Sequence, residues 1–172
     1  MKKILASLLL IASFVTASQA EEPKVDKLTM TTTDGKTLHM TGTTTGLVFE
    51  EFKGKVVFLE FFGNHCPPCL RMVEHYKRLQ EKYRDKLVII AVEVQGLSNS
   101  QLKEFVKRKG INYITISQEK AGELVPYVSA RARWQGSIPF LIILDKKGDV
   151  QLVQVGMLPE AGLEKAIEKL SK

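Results

Sequence analysis

Cys66 and Cys69 are the only cysteines in the 172 residues, and they stand three positions apart. They close the stretch Leu59-Glu60-Phe61-Phe62-Gly63-Asn64-His65-Cys66-Pro67-Pro68-Cys69. Val56 to Phe62 before them has the apolar character of a strand, and a helix-like pattern follows them. A Cys-x-x-Cys where a strand turns into a helix points to a redox dithiol. At the helix N-terminus Cys66 meets unpaired N–H groups and the positive end of the macrodipole, which favour a thiolate. Cys69, one turn further in, is close enough to close a disulfide and less exposed. Pro67 and Pro68 are tolerated because the first helical turn has no intrahelical N–H bonds to lose.

Other uses of the pair fit less well. As a structural staple it closes so short a loop that the unfolded chain is hardly constrained. A zinc site needs four ligands, and the scattered His39, His65 and His75 do not complete one. A c-type haem site needs His directly after the second Cys, where this chain has Leu70. No metal and no cofactor are expected.

The basic start Met1-Lys2-Lys3, the apolar Ile4 to Val15 and the small residues around Ser18-Gln19-Ala20 read as a cleavable secretory signal over residues 1–20. The apolar stretch is short for a membrane span. The expected location is therefore the periplasm, with the mature protein soluble and monomeric. Residues 21–172 suit one domain with one core. The chain has 25 Lys and Arg against 19 Asp and Glu, and loss of Lys2 and Lys3 leaves a net charge of +4. The excess is scattered, which argues against nucleic-acid binding. Disulfides persist outside the cytoplasm, so an exported protein with only one close cysteine pair reads as a tool acting on other proteins' disulfides or a carrier of electrons to them.

Along the mature chain, Asp34-Gly35 turns a hairpin between Leu28–Thr32 and Thr37–Met40. Thr41 to Thr45 reads as a loop, and Val48 to Phe52 as a short helical turn. Lys55 to Phe62 is a central strand covered on both faces. A helix follows over residues 66–83, with Met72, Tyr76, Leu79 and Tyr83 on one stripe. Then come a strand to Val94, a helix from Asn99 to Lys109 ended by Gly110, a strand from Asn112 to Ile116 and a helix over residues 119–127. A hairpin around Lys147-Gly148 and a C-terminal amphipathic helix complete an α/β chain with a mixed sheet flanked by helices.

This order resembles the thioredoxin-like fold and, more narrowly, the exported thiol–disulfide oxidoreductases of the TlpA/ResA/CcmG group. The likeness rests on the Asp-Gly-Lys hairpin, Lys53-Gly54-Lys55-Val56-Val57, the Cys66–Cys69 motif, Ile138-Pro139 and the hairpin after it. It implies an N-terminal β-hairpin and an inserted helix-strand segment from about Asn99 to Ile116. It also implies reduction of exported proteins, apocytochrome c among them, with electrons from a membrane thiol transporter. In such a protein Cys66 attacks and Cys69 resolves the mixed disulfide. Ile138-Pro139 falls where the fold places a cis-proline against the disulfide, with Ile138 backbone groups open to an extended substrate; the other reading is an ordinary turn proline. Glu60, six residues before Cys66, matches a buried acid behind the second cysteine and is the candidate proton acceptor for Cys69. Its alternative is a side chain reaching solvent or a Lys.

Two departures stand beside the motif. His65 replaces the usual Trp and either supports the Cys66 thiolate when protonated or simply covers the site. The Pro67-Pro68 dipeptide alters the redox potential. A disulfide oxidase or isomerase would use the same residues at a higher potential. A copper-handling thiol protein, with Met72 and His75 near the pair, is the rival outside catalysis.

Overall fold

Seven residues in a row, Val56–Phe62, are buried in strand β4, as an apolar run covered on both faces requires. The computed structural model describes residues 26–172, so the expected signal, residues 1–20, lies outside the described residues. β4 pairs in parallel with β5 (Leu87–Glu93) and antiparallel with β7 (Phe140–Leu144). β6 (Ile114–Ser117) continues the sheet beyond β5, and β8 (Val150–Val155) beyond β7. The result is a five-stranded mixed sheet.

The two-residue period of β4 sorts its side chains between two cores. Val57, Leu59 and Phe61 face one; Val56, Phe58 and Phe62 face the other, together with both cysteines. α1 (Pro67–Lys82), α2 (Asn99–Lys109) and α4 (Glu160–Leu170) close the cysteine side with Met72, Tyr76, Leu79, Leu102, Phe105, Leu163 and Ile167. α3 (Leu124–Ala132) closes the other side, with a small antiparallel sheet of β1 (Lys27–Thr31), β2 (Thr37–Gly42) and β3 (Leu47–Phe49). Glu60 has the parity of Phe58 and Phe62, so its side chain lies under α1.

Three local expectations need correction. The N-terminal hairpin gains a third strand: Leu47 and Phe49 are buried at period two and Phe49 pairs with Met40, so only Glu50–Phe52 form a single 3-10 turn. The strand after α2 starts at Ile114 and runs to Ser117, while the Asn112 side chain donates to Lys77 O instead. The helix expected over residues 119–127 is displaced. Gly122 adopts φ 55°, and a Cβ there would lie 2.4 Å from Thr29 O; helix α3 therefore begins only at Leu124 and runs to Ala132. Pro126 falls in its first turn, where no helical hydrogen bond is lost. The ends of α2 fall where expected, with Gly110 at φ 60°.

β8 lies at the margin of the sheet. Its first residue donates an N–H to Thr45 O, and Val150, Val153 and Val155 are exposed. Among the described residues no helix is long and apolar enough to cross a membrane.

Candidate active site

The site begins where β4 ends. Cys66 is the N-cap of α1, Pro67 and Pro68 take its first positions, and Cys66 and Cys69 form a disulfide. Cys66 Sγ accepts the Cys69 N–H at 3.3 Å. This is the helix-end arrangement read from the sequence, but Cys66 is 6% exposed and Cys69 1%, so the attacking position presents only a small opening. His65 is exposed; its N–H donates to Gln95 Oε1 at 2.8 Å, and its ring has no hydrogen-bond partner among the described residues.

The Ile138–Pro139 peptide is cis. In register, Phe140 lies opposite Phe61, which puts Pro139 at the same sheet end as the cysteines. Pro139 O accepts the Gly156 N–H at 2.8 Å. No intramolecular hydrogen bond among the described residues uses the Ile138 N–H or C=O. Ile138 packs against both cores. The segment before it is fixed by Trp134, the single Trp of the chain. Its ring stacks on Phe140 at 5.2 Å and lies 4.7 Å from Phe61, while Nε1 donates to Ser137 O at 2.7 Å. The sequence reading passed over Trp134, although a lone Trp four residues before Ile-Pro was the available signal.

Glu60 is 2% exposed. Its strand partners are Ala91 and Leu141, and among the described residues no cation contributes to its titration. Burial pushes its carboxyl well above the usual carboxylate range, and the neighbouring Tyr76 hydroxyl offsets this only in part. Oε1 has no partner. The alternative of a side chain reaching solvent or a Lys is therefore excluded. Enclosure thus disfavours the charged form of this acid, which refines the expectation of a ready proton acceptor. Tyr76 is itself 1% exposed; burial first, then the nearby Glu60 and Tyr113, raise its hydroxyl well above the ordinary tyrosine value.

The two side chains weighed as copper ligands are a core residue and a surface residue beside a carboxylate. Met72 is 2% exposed in the core beneath α1. His75 Nδ1 lies 3.1 Å from Glu160 Oε2, without hydrogen-bond alignment.

A profile of the AhpC/TSA family matches residues 27–153. The chain belongs to this family. Within it, the chain groups with proteins named for thiol–disulfide exchange. The thiol-disulfide oxidoreductase ResA of Bacillus thuringiensis subsp. konkukian is 30% identical over 125 residues, 71% of this chain and 67% of that protein. The ResA of Halalkalibacterium halodurans is 28% identical over 118 residues, 69% of this chain and 64% of that protein. The chain thus spans about two thirds of the length of these relatives. A solved thiol:disulfide interchange protein of the thioredoxin family from Chlorobium tepidum superposes with a TM-score of 0.66 at 20% identity, over 90% of this chain and all of that one. That likeness is one of fold, and the fold is the thioredoxin-like one expected from the family motifs.

Proposed function

We propose that the protein is an exported thiol–disulfide oxidoreductase that reduces disulfides of other exported proteins, cycling Cys66 and Cys69 between dithiol and disulfide. The observation that carries this is the cysteine pair at the N-terminus of α1, at the sheet end that also holds Ile138–Pro139. A substrate enters as an extended segment paired with the Ile138 backbone groups. The Cys66 thiolate attacks one substrate sulfur, the substrate disulfide breaks, and the departing sulfur takes a proton from water. Cys69 then gives its proton to the Glu60 carboxylate and attacks Cys66 Sγ. The second substrate thiolate leaves and is protonated, and the Cys66–Cys69 disulfide is formed.

Glu60 now holds one proton, which its enclosure favours. For the reset, a thiolate of a donor dithiol attacks Cys66 Sγ, and Cys69 leaves with the proton from Glu60. The second donor thiol gives its proton to water and closes the donor's own disulfide, and Cys66 leaves as the thiolate. Each turn moves two electrons and two protons from donor to substrate. The donor class is a membrane thiol transporter, and the substrate class includes apocytochrome c; export rests on the pattern of residues 1–20.

The decisive experiment traps substrates with Cys69→Ala in the native compartment. Exported proteins held as mixed disulfides through Cys66 are the expected catch; none captured removes the reading. A reduction potential nearer about −270 mV than −120 mV is expected, and a value above about −160 mV transfers the protein to the oxidases.

A further inference from the structure

Among the buried ionisable groups that the cycle leaves idle, Glu93 is the most enclosed, at 0% exposure. It ends β5, and its carboxyl accepts three backbone N–H groups. Oε1 takes Asn64 N at 3.4 Å and Gln95 N at 3.1 Å; Oε2 takes Leu97 N at 2.9 Å. Gln95 lays its side-chain amide over Gly63, where a Cβ would lie 2.2 Å from Cδ and from Oε1. The same Oε1 accepts the His65 N–H at 2.8 Å, and Val94 N–H reaches Phe62 O at 2.9 Å. Glu93, Val94 and Gln95 thus grip residues 62–65, the stretch that delivers Cys66 to its helix. Leu97, which Glu93 anchors, packs against the core that holds both sulfurs and leads into Ser98, the N-cap of α2.

We propose that Glu93 and Gln95 are positioning residues for Cys66, holding the 63–65 backbone so that Cys66 Sγ stays aligned with the Cys69 N–H. Neither side chain hydrogen-bonds a sulfur. The N–H···S contact at 3.3 Å is the one that supports a thiolate, and a charge-assisted bond of this kind weakens steeply when its geometry drifts. The inserted segment gains a role by the same bonds: its lead-in and the cysteine loop share one carboxyl. The inference rests on Cys66 as the attacking thiol.

The test uses the full chain with Gln95→Ala and Gln95→Met. Three quantities are read: the rate of Cys66 alkylation by iodoacetamide at pH 7, the dithiol–disulfide equilibrium with glutathione, and the unfolding midpoint. Gln95→Ala slows alkylation about fivefold, the weight of one net hydrogen bond. The equilibrium moves toward the disulfide by a similar factor, because a less stabilised thiolate disfavours the reduced form. Gln95→Met, which fills the space over Gly63 without offering an acceptor, matches Gln95→Ala. Gly63→Ala slows alkylation in the native background, and adding Gln95→Ala recovers part of the loss, a non-additive pair. Wild-type alkylation and equilibrium in both Gln95 variants with a lowered unfolding midpoint would overturn the proposal, as would additive effects of Gly63→Ala and Gln95→Ala. Both thiol readouts are taken on the cysteine pair itself. A wild-type protein that fails to reduce insulin therefore overturns the proposed function without touching this result.

Discussion

Two glutamates lie equally deep on neighbouring strands, and the two regions around them could hardly differ more. Glu60, midway along β4 under α1, has one phenol for company and an oxygen without a partner. Glu93, at the end of β5, meets three backbone N–H groups from two loops. A carboxyl supplied with donors is fixed in place and ties chain segments together. A carboxyl starved of them is costly to ionise and well suited to holding a proton and passing it on. Depth does not separate the proposed brace from the proposed acid–base group; the count of donors does.

The largest effect expected from this contrast is on the brace. Glu93→Leu leaves three half-buried N–H groups without their acceptor, and equilibrium unfolding should show a loss of about 2 kcal/mol or more. A loss well below 1 kcal/mol would mean that the loops re-solvate freely and that the bonds to Glu93 hold little. Glu60→Gln should act in the opposite sense: insulin reduction at pH 7 slows as the mixed disulfide accumulates, while the oxidised protein is as stable as the parent or more so. Unchanged turnover with lowered stability would make Glu60 a structural group.

The pH dependence sharpens the same point. The folded Glu60 binds its proton more tightly than the unfolded one, whose ordinary value is 4.5. Below that value both states are protonated and Glu60 contributes no slope. Above it the unfolded chain releases the proton first, so stability falls as pH rises toward the raised folded value, by about 1.4 kcal/mol per pH unit for one proton. Denaturation of the oxidised form from pH 4.5 upward should show this slope in the parent, and its absence in Glu60→Gln. The smallest effect belongs to the exposed pairs that join α1 to α4. Lys82 lies 2.7 Å from Glu164, and Glu164→Gln should leave the unfolding midpoint and the turnover indistinguishable from the parent.

What the sequence allowed to be read follows from where each signal is written. Cys66, Cys69 and Glu60 announce themselves locally, as two sulfurs at helical spacing and a charge inside an apolar strand. Ile138–Pro139 was legible only through the family likeness, since nothing in an Ile-Pro pair sets its position in a sheet. α2 was placed because Asn99 to Lys109 carries its periodicity and its Gly110 stop together. α3 was misplaced because Gly122 and Pro126 look like breaks in one helix, whereas the first precedes the helix and the second sits in its first turn. Glu93 and Gln95 gave no warning: in Val92-Glu93-Val94-Gln95 they read as the polar phase of a fraying strand end. Asn64 N–H for Glu93 and His65 N–H for Gln95 lie some thirty positions earlier, and backbone groups leave no mark in a sequence.

The open margin of the sheet has a consequence for handling the molecule. Beyond the Thr45 contact at Val150, no strand among the described residues pairs with the outer side of β8, and Val150, Val153 and Val155 are exposed there. Many proteins guard such a rim with lysine or proline; residues 150–155, Val-Gln-Leu-Val-Gln-Val, contain neither. Crowding therefore threatens this protein through rim-to-rim stacking of intact molecules before it threatens the fold of any one of them. The hazard grows with concentration and leaves the cysteine chemistry untouched until material is lost from solution.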